Sequence, residues 1–402
     1  MRWYVSRYTG VFRDFAVTLP RAHDPDIAIC AGAIANRPVG ARADAAGGAG
    51  VTAEAAELAA AGEAIERWQT HLLPHDRVHR GRFAAWDGDA PALDPLALPL
   101  YHPAQYATPG FPFVPLAHET ELDWLGFRRV SDGEPIWVPA ELAVMDLRPG
   151  ARHRFAPAIS TGWSAHRELA TAVLRGTQEV IERDGLVRAW CGACDVEEHA
   201  LDDVLGDLAP RVRRANLTYR GYRIASPWSE HVTMVSVAGE DREGFCFSIG
   251  SACRETRAAS WHKALLEAIQ GRHYVRYLRE TRPPPPDSPR DFAEHAAFYS
   301  VQPERLATTC LARAVPPRTS AEAQPESLAS LGARLGPDRV PLFRVMTPPA
   351  FAVRALEWCV VRVIVPGLQP MHGDHALPFL GGPAWGDRPI AAWADVPPHP
   401  FA

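Results

Sequence analysis

Three long stretches of the chain carry a helical pattern, with apolar residues recurring every three or four positions. This spacing places the apolar side chains on one face of a helix. We therefore predict amphipathic helices over about Thr52–Leu73, Arg167–Trp190 and Arg257–Arg279. The third helix is expected to end before Arg282–Pro286, because a run of prolines cannot continue a helix and favours a polyproline hinge.

Shorter apolar runs between turn residues predict β-strands. We place them at Tyr4–Val5, Val11–Val17, Ile27–Cys30, Pro135–Pro139, Leu142–Met145, Tyr219–Ile224, His231–Ser236, Gly244–Ile249 and Trp358–Val365. Residues 38–50, rich in Ala and Gly, are predicted to form a loop. Residues 86–116, crowded with prolines and aromatics, are predicted to form an irregular excursion. Strands mixed with long helices predict the α/β class, followed by a Pro/Gly-rich C-terminal tail.

Composition and charge exclude several kinds of protein. Hydrophobic residues make up 47% of 402 residues, enough for a sizeable core, and the net charge of −5 argues against nucleic acid as a partner. No apolar run of about 18 residues occurs, so no membrane span is expected. The early charges of Met1–Arg7 do not suit a signal peptide. Seven cysteines, an odd and low number, suit a reducing compartment, and we expect a cytoplasmic bacterial protein.

The chain contains one lysine, Lys263, and this limits its chemistry. A P-loop needs a lysine after a glycine-rich loop to reach the β- and γ-phosphates, and Lys263 follows no such loop. The lysine and His-Arg-Asp motifs of protein kinases are missing, as are the Gly-x-Ser-x-Gly and His-Glu-x-x-His motifs of hydrolases. If the protein handles nucleotides, carboxylates and arginines must therefore bind them.

The three predicted helices carry related polar motifs. They read Glu63-Ala-Ile-Glu66-Arg67, Glu179-Val-Ile-Glu182-Arg183 and Glu267-Ala-Ile-Gln270-Gly-Arg272. Residues three apart on a helix share one face. Gly162 and Gly250, in matching segments, each lie 17 residues before the first glutamate of the motif that follows. One supersecondary unit is thus expected to recur within the chain.

Paired carboxylates on one helix face repel each other unless a cation or water lies between them. Glu63, Glu66, Glu179 and Glu182 therefore predict a Mg²⁺ site, because Mg²⁺ takes oxygen ligands and nucleotide phosphates complete its shell. The arginines Arg67, Arg183 and Arg272 are then candidates for bidentate phosphate contacts. The alternative is that each motif is a solvated helix face with an internal ion pair.

These motifs, together with Ser160–His166 and Gly250–Ala252, resemble the YcaO family of ATP-dependent enzymes that modify ribosomally made peptides. The resemblance covers most of the chain and implies one YcaO domain over 1–402, with sub-units at about 1–80, 131–280 and 291–402. It implies ATP and Mg²⁺ as cofactors. The same four glutamates would ligate the metal, and the residues lining the nucleotide pocket would be Arg7, Arg67, Ser164, Glu179, Glu182, Arg183, Glu267, Gln270 and Arg272.

The implied reaction is cyclodehydration. The enzyme activates a backbone amide of a precursor peptide by O-phosphorylation, and Arg183 and Arg272 are expected to assist catalysis. A thiol or hydroxyl nucleophile gives an azoline, and an amine gives a macroamidine; thioamide formation is a further alternative. Ala59–Ala60 and Ala170–Thr171 depart from the family pattern, which leaves open a weakened scaffold that binds peptide or a partner.

The tail ends in Pro397-Pro398-His399-Pro400-Phe401-Ala402, similar to the proline-rich ends of azoline-forming members. Prolines restrict the backbone, so such a tail can place the Ala402 carboxylate as a general base. An ordinary frayed terminus is the alternative. We expect leader-peptide recognition by a separate partner or a groove on this chain, and a homodimer stays open.

Two further motifs suggest metal binding. Cys191-Gly-Ala-Cys194 has zinc or redox spacing, but there is no second such pair, so two plain thiols are favoured. Met371–His375 contains His372 and His375, and a polar surface loop is favoured there over a metal site.

Overall fold

The computed structural model describes residues 5–8, 10–18, 20–35, 45–68, 70, 77–145, 154–318, 323–346 and 357–402. Within these ranges the strands are β1 Phe12–Thr18, β2 Ala28–Ile34, β3 Ala45–Gly50, β4 Val78–Arg82, β5 Glu121–Arg129, β6 Pro135–Pro139, β7 Trp163–His166, β8 Val196–His199, β9 Thr218–Ile224, β10 Val232–Asp241, β11 Gly244–Cys253, β12 Leu342–Val345 and β13 Cys359–Ile364. The helices are α1 Ala53–Trp68, α2 Pro103–Tyr106, α3 Ala140–Ala143, α4 Leu169–Trp190, α5 Leu201–Leu205, α6 Ala209–Val212, α7 Arg257–Thr281, α8 Phe292–Val301 and α9 Leu328–Leu335.

The strands form three antiparallel sheets. Their orders are β1-β2-β3, then β11-β10-β9-β8, and then β4-β5-β12-β13-β7 with β6 also paired to β5. One long helix lies on each sheet: α1 on β3, α7 on β11, and α4 on β13 and β7. Helix α7 also contacts β3, which brings the first and second sheets together. The α/β class and the repeated sheet-plus-helix unit are therefore confirmed.

Glycines allow the helices to approach the strands closely. A Cβ on Gly48 of β3 would lie 2.4 Å from the main-chain nitrogen of Ala60 in α1. A Cβ on Gly250 of β11 would lie 2.2 Å from the carbonyl oxygen of Ala264 in α7. No side chain fits at such distances, so both positions need glycine where the helix backbone touches the strand.

The three long helices form where the pattern predicts them. Helix α1 ends at Trp68, and the predicted end at Leu73 lies outside the described residues. The side chain of Thr256 caps α7 by accepting a hydrogen bond from the Ala259 main-chain nitrogen. The helix then ends at Thr281, just before the proline run, as predicted.

Two strand and loop predictions are wrong. Residues 45–50 form β3 instead of a loop, because their pairing with β2 and their contact with α1 outweigh the low strand propensity of Ala and Gly. The strand predicted at Leu142–Met145 is replaced by α3, which ends at Ala143. Tyr4 of the first predicted strand lies outside the described residues, and Val5 forms a single bridge to Phe12.

Residues 86–116 hold only short helical turns, as the prolines predict. Their aromatic side chains pack around Tyr101 and the buried Trp124 and Trp137 of the third sheet. None of the helices in the described ranges has both the length and the apolar composition needed to cross a bilayer.

Candidate active site

Helices α1 and α4 present their acidic motifs to each other. The main-chain N–H of Gly47, on β3, donates to Glu63 Oε2 at 2.9 Å. The N–H of Gly162, just before β7, donates to Glu179 Oε2 at 3.4 Å. In both units, then, a main-chain donor at a glycine fixes the first glutamate of the motif. Gly162 lies at the predicted spacing of 17 residues before its glutamate, and Gly47 lies 16 residues before Glu63.

Protein donors and positive charges stabilise the carboxylates of Glu66 and Glu179 least. Burial, together with the negative charges of Glu179 and Glu63, raises the pKa of Glu66 well above its ordinary value. Burial also raises the pKa of Glu179 to about 7, although the nearby Arg183 opposes the shift. Among the described residues, none forms a hydrogen bond or an ion pair with the Glu66 side chain. Two half-buried like charges on separate helices form a site that favours a cation.

Glu182, the second glutamate of the α4 motif, is hydrogen-bonded to β11. Glu182 is 4% exposed. Its Oε1 accepts hydrogen bonds from Ser251 Oγ at 2.6 Å and from Arg183 at 2.9 Å, and its Oε2 accepts one from the Cys253 N–H at 3.2 Å. Arg183 also donates to Ser251 Oγ at 3.2 Å and lies 3.8 Å from Glu179. Glu182 therefore orients the Arg183 guanidinium toward the acidic cluster.

Helix α7 supplies the third side of the site. The ammonium group of Lys263 lies 3.0 Å from Glu267, and the positive charges of Lys263 and Arg183 lower the pKa of Glu267 despite its burial. A Cβ on Gly47 would lie 3.2 Å from Gln270 Nε2, so this amide faces the strand that donates to Glu63. Glu267 and Gln270 thus lie beside the motifs of α1 and α4.

Arg362 is a residue of this site that the sequence reasoning missed. It is 4% exposed on β13 and donates to the carbonyl oxygens of Thr161 and Leu142, the latter at 2.7 Å. Burial lowers its pKa to about 10, and the charges of Glu179 and Glu66 oppose that shift. The available signal was its place as the single charge in the apolar run Trp358–Val365.

Arg272 does not lie in the cluster. It is 1% exposed, and its guanidinium donates to Asp241 at 2.8 Å and to the Cys246 carbonyl at 3.0 Å. Cys246 and Ser251 lie five residues apart along β11, which separates Arg272 from Arg183 by about 16 Å of strand. The predicted role of Arg272 in phosphate binding and catalysis is corrected: its donors are used to hold the β10–β11 turn.

The remaining predicted residues fall into two groups. Ser164 is buried on β7 opposite Val361, next to the Arg362 position. Arg67 pairs with Glu63 at 2.6 Å on the outer side of the cluster. Arg7, by contrast, is exposed in the turn before β1, and no described contact connects it to the acidic residues.

As far as Phe401, the tail packs against the body of the protein and is not frayed. Trp190 Nε1 donates to the Pro397 carbonyl at 2.9 Å, and the Tyr299 hydroxyl donates to the Pro398 carbonyl at 2.6 Å. Phe401 is buried, whereas Ala402 is exposed. His399 lies near enough to Arg183 that the arginine's charge adds to the lowering of its pKa by burial. The tail therefore packs against α4 and α8.

The donor set suits Mg²⁺. Carboxylate oxygens from two helices surround the site, and hard divalent cations of small radius take oxygen ligands. The excess negative charge at Glu66 and Glu179 is the local feature that such an ion would neutralise.

A family model matches most of the chain. The family model described as YcaO cyclodehydratase, ATP- and Mg²⁺-binding, matches residues 47–369. The chain belongs to the YcaO family. ATP and Mg²⁺ are thus confirmed as the cofactors predicted from the sequence. No curated protein sequence matches this YcaO chain significantly.

Solved structures share the YcaO fold at low sequence identity. A heterocyclase in complex with substrate and cofactor has a TM-score of 0.73 and 18% identity, covering 99% of this chain and 55% of its own. YcaO from Methanopyrus kandleri, bound with AMPPCP and Mg²⁺, has a TM-score of 0.58 and 20% identity, covering 89% of this chain and 86% of its own. The E. coli microcin synthetase McbBCD complex has a TM-score of 0.63 and 13% identity, covering 96% of both chains. This YcaO chain spans about half the length of the heterocyclase chain.

Proposed function

We propose that this YcaO chain is an ATP-dependent cyclodehydratase that forms azolines in a ribosomally made precursor peptide. The observation that carries the proposal is the convergence of Glu66 and Glu179 beside Arg183, which combines a cation site with a phosphate-binding group. The structures with the same fold, a heterocyclase and a microcin synthetase, support a peptide substrate.

The metal ligands in this proposal are the four glutamates of the first two motifs. Glu66 and Glu179 are the main ligands, because protein donors stabilise their negative charges least. Glu63 and Glu182 add oxygens that keep a free lone pair beside their present hydrogen bonds. Bound Mg²⁺ would supply charge neutralisation and orientation of the triphosphate.

The cationic side chains have separate roles in catalysis and in nucleotide binding. Arg183, held by Glu182 and Ser251, is the catalytic arginine that contacts the transferring phosphoryl group, since its Nη2 points to the cluster near Glu179. Arg67 and Lys263 line the nucleotide pocket from α1 and α7. Ser164, Glu267 and Gln270 complete that pocket. Arg7, in the turn before β1, stays a predicted phosphate contact from the sequence alone.

The proposed reaction has three steps, which are attack, phosphorylation and elimination. A Cys, Ser or Thr side chain of the peptide gives its proton to the Ala402 carboxylate and attacks the preceding amide carbon, so that the carbonyl oxygen gains the negative charge. That oxygen takes the γ-phosphoryl group and ADP leaves. The amide nitrogen then gives its proton to the departing phosphate while the C–O bond breaks, which forms the C=N bond of the azoline. The protein positions the groups and neutralises charge.

A two-part assay tests this function. The chain, Mg-ATP and a precursor peptide should give ADP and a peptide lighter by one water. The cysteine thiol of the product should resist alkylation if a thiazoline has formed, whereas an amidine would leave every thiol free. The absence of both ADP and a mass change, with a verified peptide and leader-binding partner, favours the scaffold alternative.

A further inference from the structure

A cluster of buried histidines lies where the tail meets the body. His295 is on α8, His372 follows β13 and His399 is in the tail, and all three are at most 6% exposed. Each offers a ring nitrogen, and these three atoms lie within 4.8 Å of one another. The sequence prediction that Met371–His375 forms a polar surface loop is therefore wrong for His372.

Hydrogen bonds to carbonyls fix the protonation of two of the rings. His295 Nδ1 lies 2.6 Å from the His399 carbonyl oxygen, and His399 Nε2 lies 2.8 Å from the His372 carbonyl oxygen. A carbonyl only accepts, so both of these nitrogens carry the proton and the opposite nitrogens carry the lone pair. Histidines that bind metals show this arrangement, in which one nitrogen donates to a carbonyl and the other faces the ion.

The lone-pair side of the cluster lacks partners. His295 Nε2 and His372 Nε2 are buried and make no hydrogen bond within the described part of the chain. His399 Nδ1 accepts only a long hydrogen bond of 3.3 Å from the Phe401 N–H. Buried polar nitrogens are normally satisfied, so two unpartnered nitrogens beside a third weakly bound one point to a ligand.

Burial disfavours the charged form of all three rings. Burial lowers the pKa of His295, His372 and His399 well below the ordinary value, and their mutual repulsion adds to the effect. None of the three forms an ion pair with a carboxylate in the described ranges. A fourth ring, His375, lies with its centroid 6.1 Å from those of His295 and His372. Neutral imidazole is the form of histidine that ligates metals.

We propose that His295, His372 and His399 bind one Zn²⁺ ion that fastens the tail to α8. Imidazole ligands suit zinc, whereas magnesium and calcium prefer oxygen, and three histidines leave a fourth position for water. The His295 and His399 rings are stacked with centroids 3.8 Å apart, so metal binding requires one of them to turn and to exchange its carbonyl hydrogen bond for the bond to the ion. The ion would be separate from the Mg²⁺ of the acidic cluster.

The consequence concerns the position of the tail. Zn²⁺ would cross-link α8, the segment after β13 and the residues next to Phe401. Loss of the ion would loosen the tail segment that contacts Trp190 of α4 and Tyr299 of α8. This inference does not rest on the proposed reaction, since zinc binding can be measured without ATP or peptide.

The test uses the full chain, stripped of metal with a chelator and titrated with Zn²⁺ alone. We expect one equivalent bound with micromolar or tighter affinity, measured by competition with a chromophoric chelator and by elemental analysis, and a rise in melting temperature. H295A and H372A should lose this equivalent, whereas the exposed control H23A should keep it. No binding by the wild-type chain, or unchanged stoichiometry in both cluster variants, would overturn the site.

A spectroscopic measurement covers the case in which the variants do not fold. Co²⁺ added to the stripped wild-type chain should give the intense visible bands of a four-coordinate, nitrogen-rich site, and Zn²⁺ should abolish them. A weak octahedral spectrum, or no spectrum, would contradict the proposal.

Discussion

The main-chain N–H of Gly47 donates to Glu63 Oε2 at 2.9 Å, across the contact between β3 and α1. Gly162 and Glu179 repeat this contact in the next unit at 3.4 Å. In both cases a glycine N–H, on a strand or just before it, binds the first glutamate of a helical motif. Glu66, the second glutamate of the α1 motif, faces Glu179 of α4. A repeated packing contact thus builds the acidic cluster.

Close strand-to-helix packing predicts a large cost for a methyl group at Gly250. Because a Cβ there would lie 2.2 Å from the Ala264 carbonyl, we expect G250A to destabilise the protein by about 2 kcal/mol or more. G126A is the matched control, since this strand glycine has open space around its Cβ position. Its unfolding free energy should change by less than about 0.5 kcal/mol in chemical denaturation. Equal effects would contradict the packing account.

Arg362 supports a second stability prediction. R362M would leave the partly buried carbonyls of Thr161 and Leu142 without this donor, which costs about 1–3 kcal/mol in total. R128M is the control, because Arg128 is an exposed arginine of the same sheet that also donates to a carbonyl. Urea denaturation should separate the two variants clearly. A neutral R362M would show that the guanidinium does not hold these loops.

The amount of stabilisation by Mg²⁺ should depend on pH. The pKa of Glu179 is about 7 in the fold against 4.5 ordinarily, so the folded chain binds a proton that the unfolded chain has released. Without metal, stability therefore falls as pH rises from about 4.5 to about 7, and Glu66 shifts in the same direction.

Because Mg²⁺ replaces this proton, we expect the rise in melting temperature on adding Mg²⁺ to be larger near pH 8 than near pH 5.5. E179Q should reduce this dependence, and E54Q, an exposed change on the same helix as Glu66, should not. A rise of equal size at both pH values in the wild-type chain would argue against a metal at these carboxylates.

The tail contacts predict a separation of binding from turnover. Y299F removes the hydroxyl that donates to the Pro398 carbonyl at 2.6 Å, an interaction worth about 1 kcal/mol. We expect slower peptide modification with little change in nucleotide affinity, and removal of residues 396–402 should strengthen the same effect. Y277F, which alters an exposed tyrosine of α7, is the control. Unchanged modification by the shortened chain would remove the tail from the mechanism.

Local pattern was sufficient for part of this structure. Helical periodicity depends on neighbouring residues, so α4 and α7 and the acidic motifs on them could be predicted. Partners distant in the chain could not be predicted in this way. Arg272 looks like a phosphate ligand until its pairing with Asp241, 31 residues away, is known. Arg362 enters the site only because β13 pairs with β7.

The same limit explains the errors over 45–50 and at His372. Strand β3 is rich in Ala and Gly because a helix backbone lies against it, and this contact is invisible to propensity. His372 is a polar residue, and its side chain is buried only because the tail packs against it. Burial decided by distant segments is the information that a single sequence lacks.

Binding of the non-hydrolysable nucleotide AMPPCP tests the central claim most directly. Isothermal titration of the wild-type chain with AMPPCP should show Mg²⁺-dependent binding that weakens by about tenfold or more in E66Q and in E179Q. E54Q should bind like the wild-type chain, and circular dichroism should show that all variants are folded. If E66Q and E179Q bind Mg-AMPPCP as tightly as the wild-type chain does, the acidic cluster is not the nucleotide site.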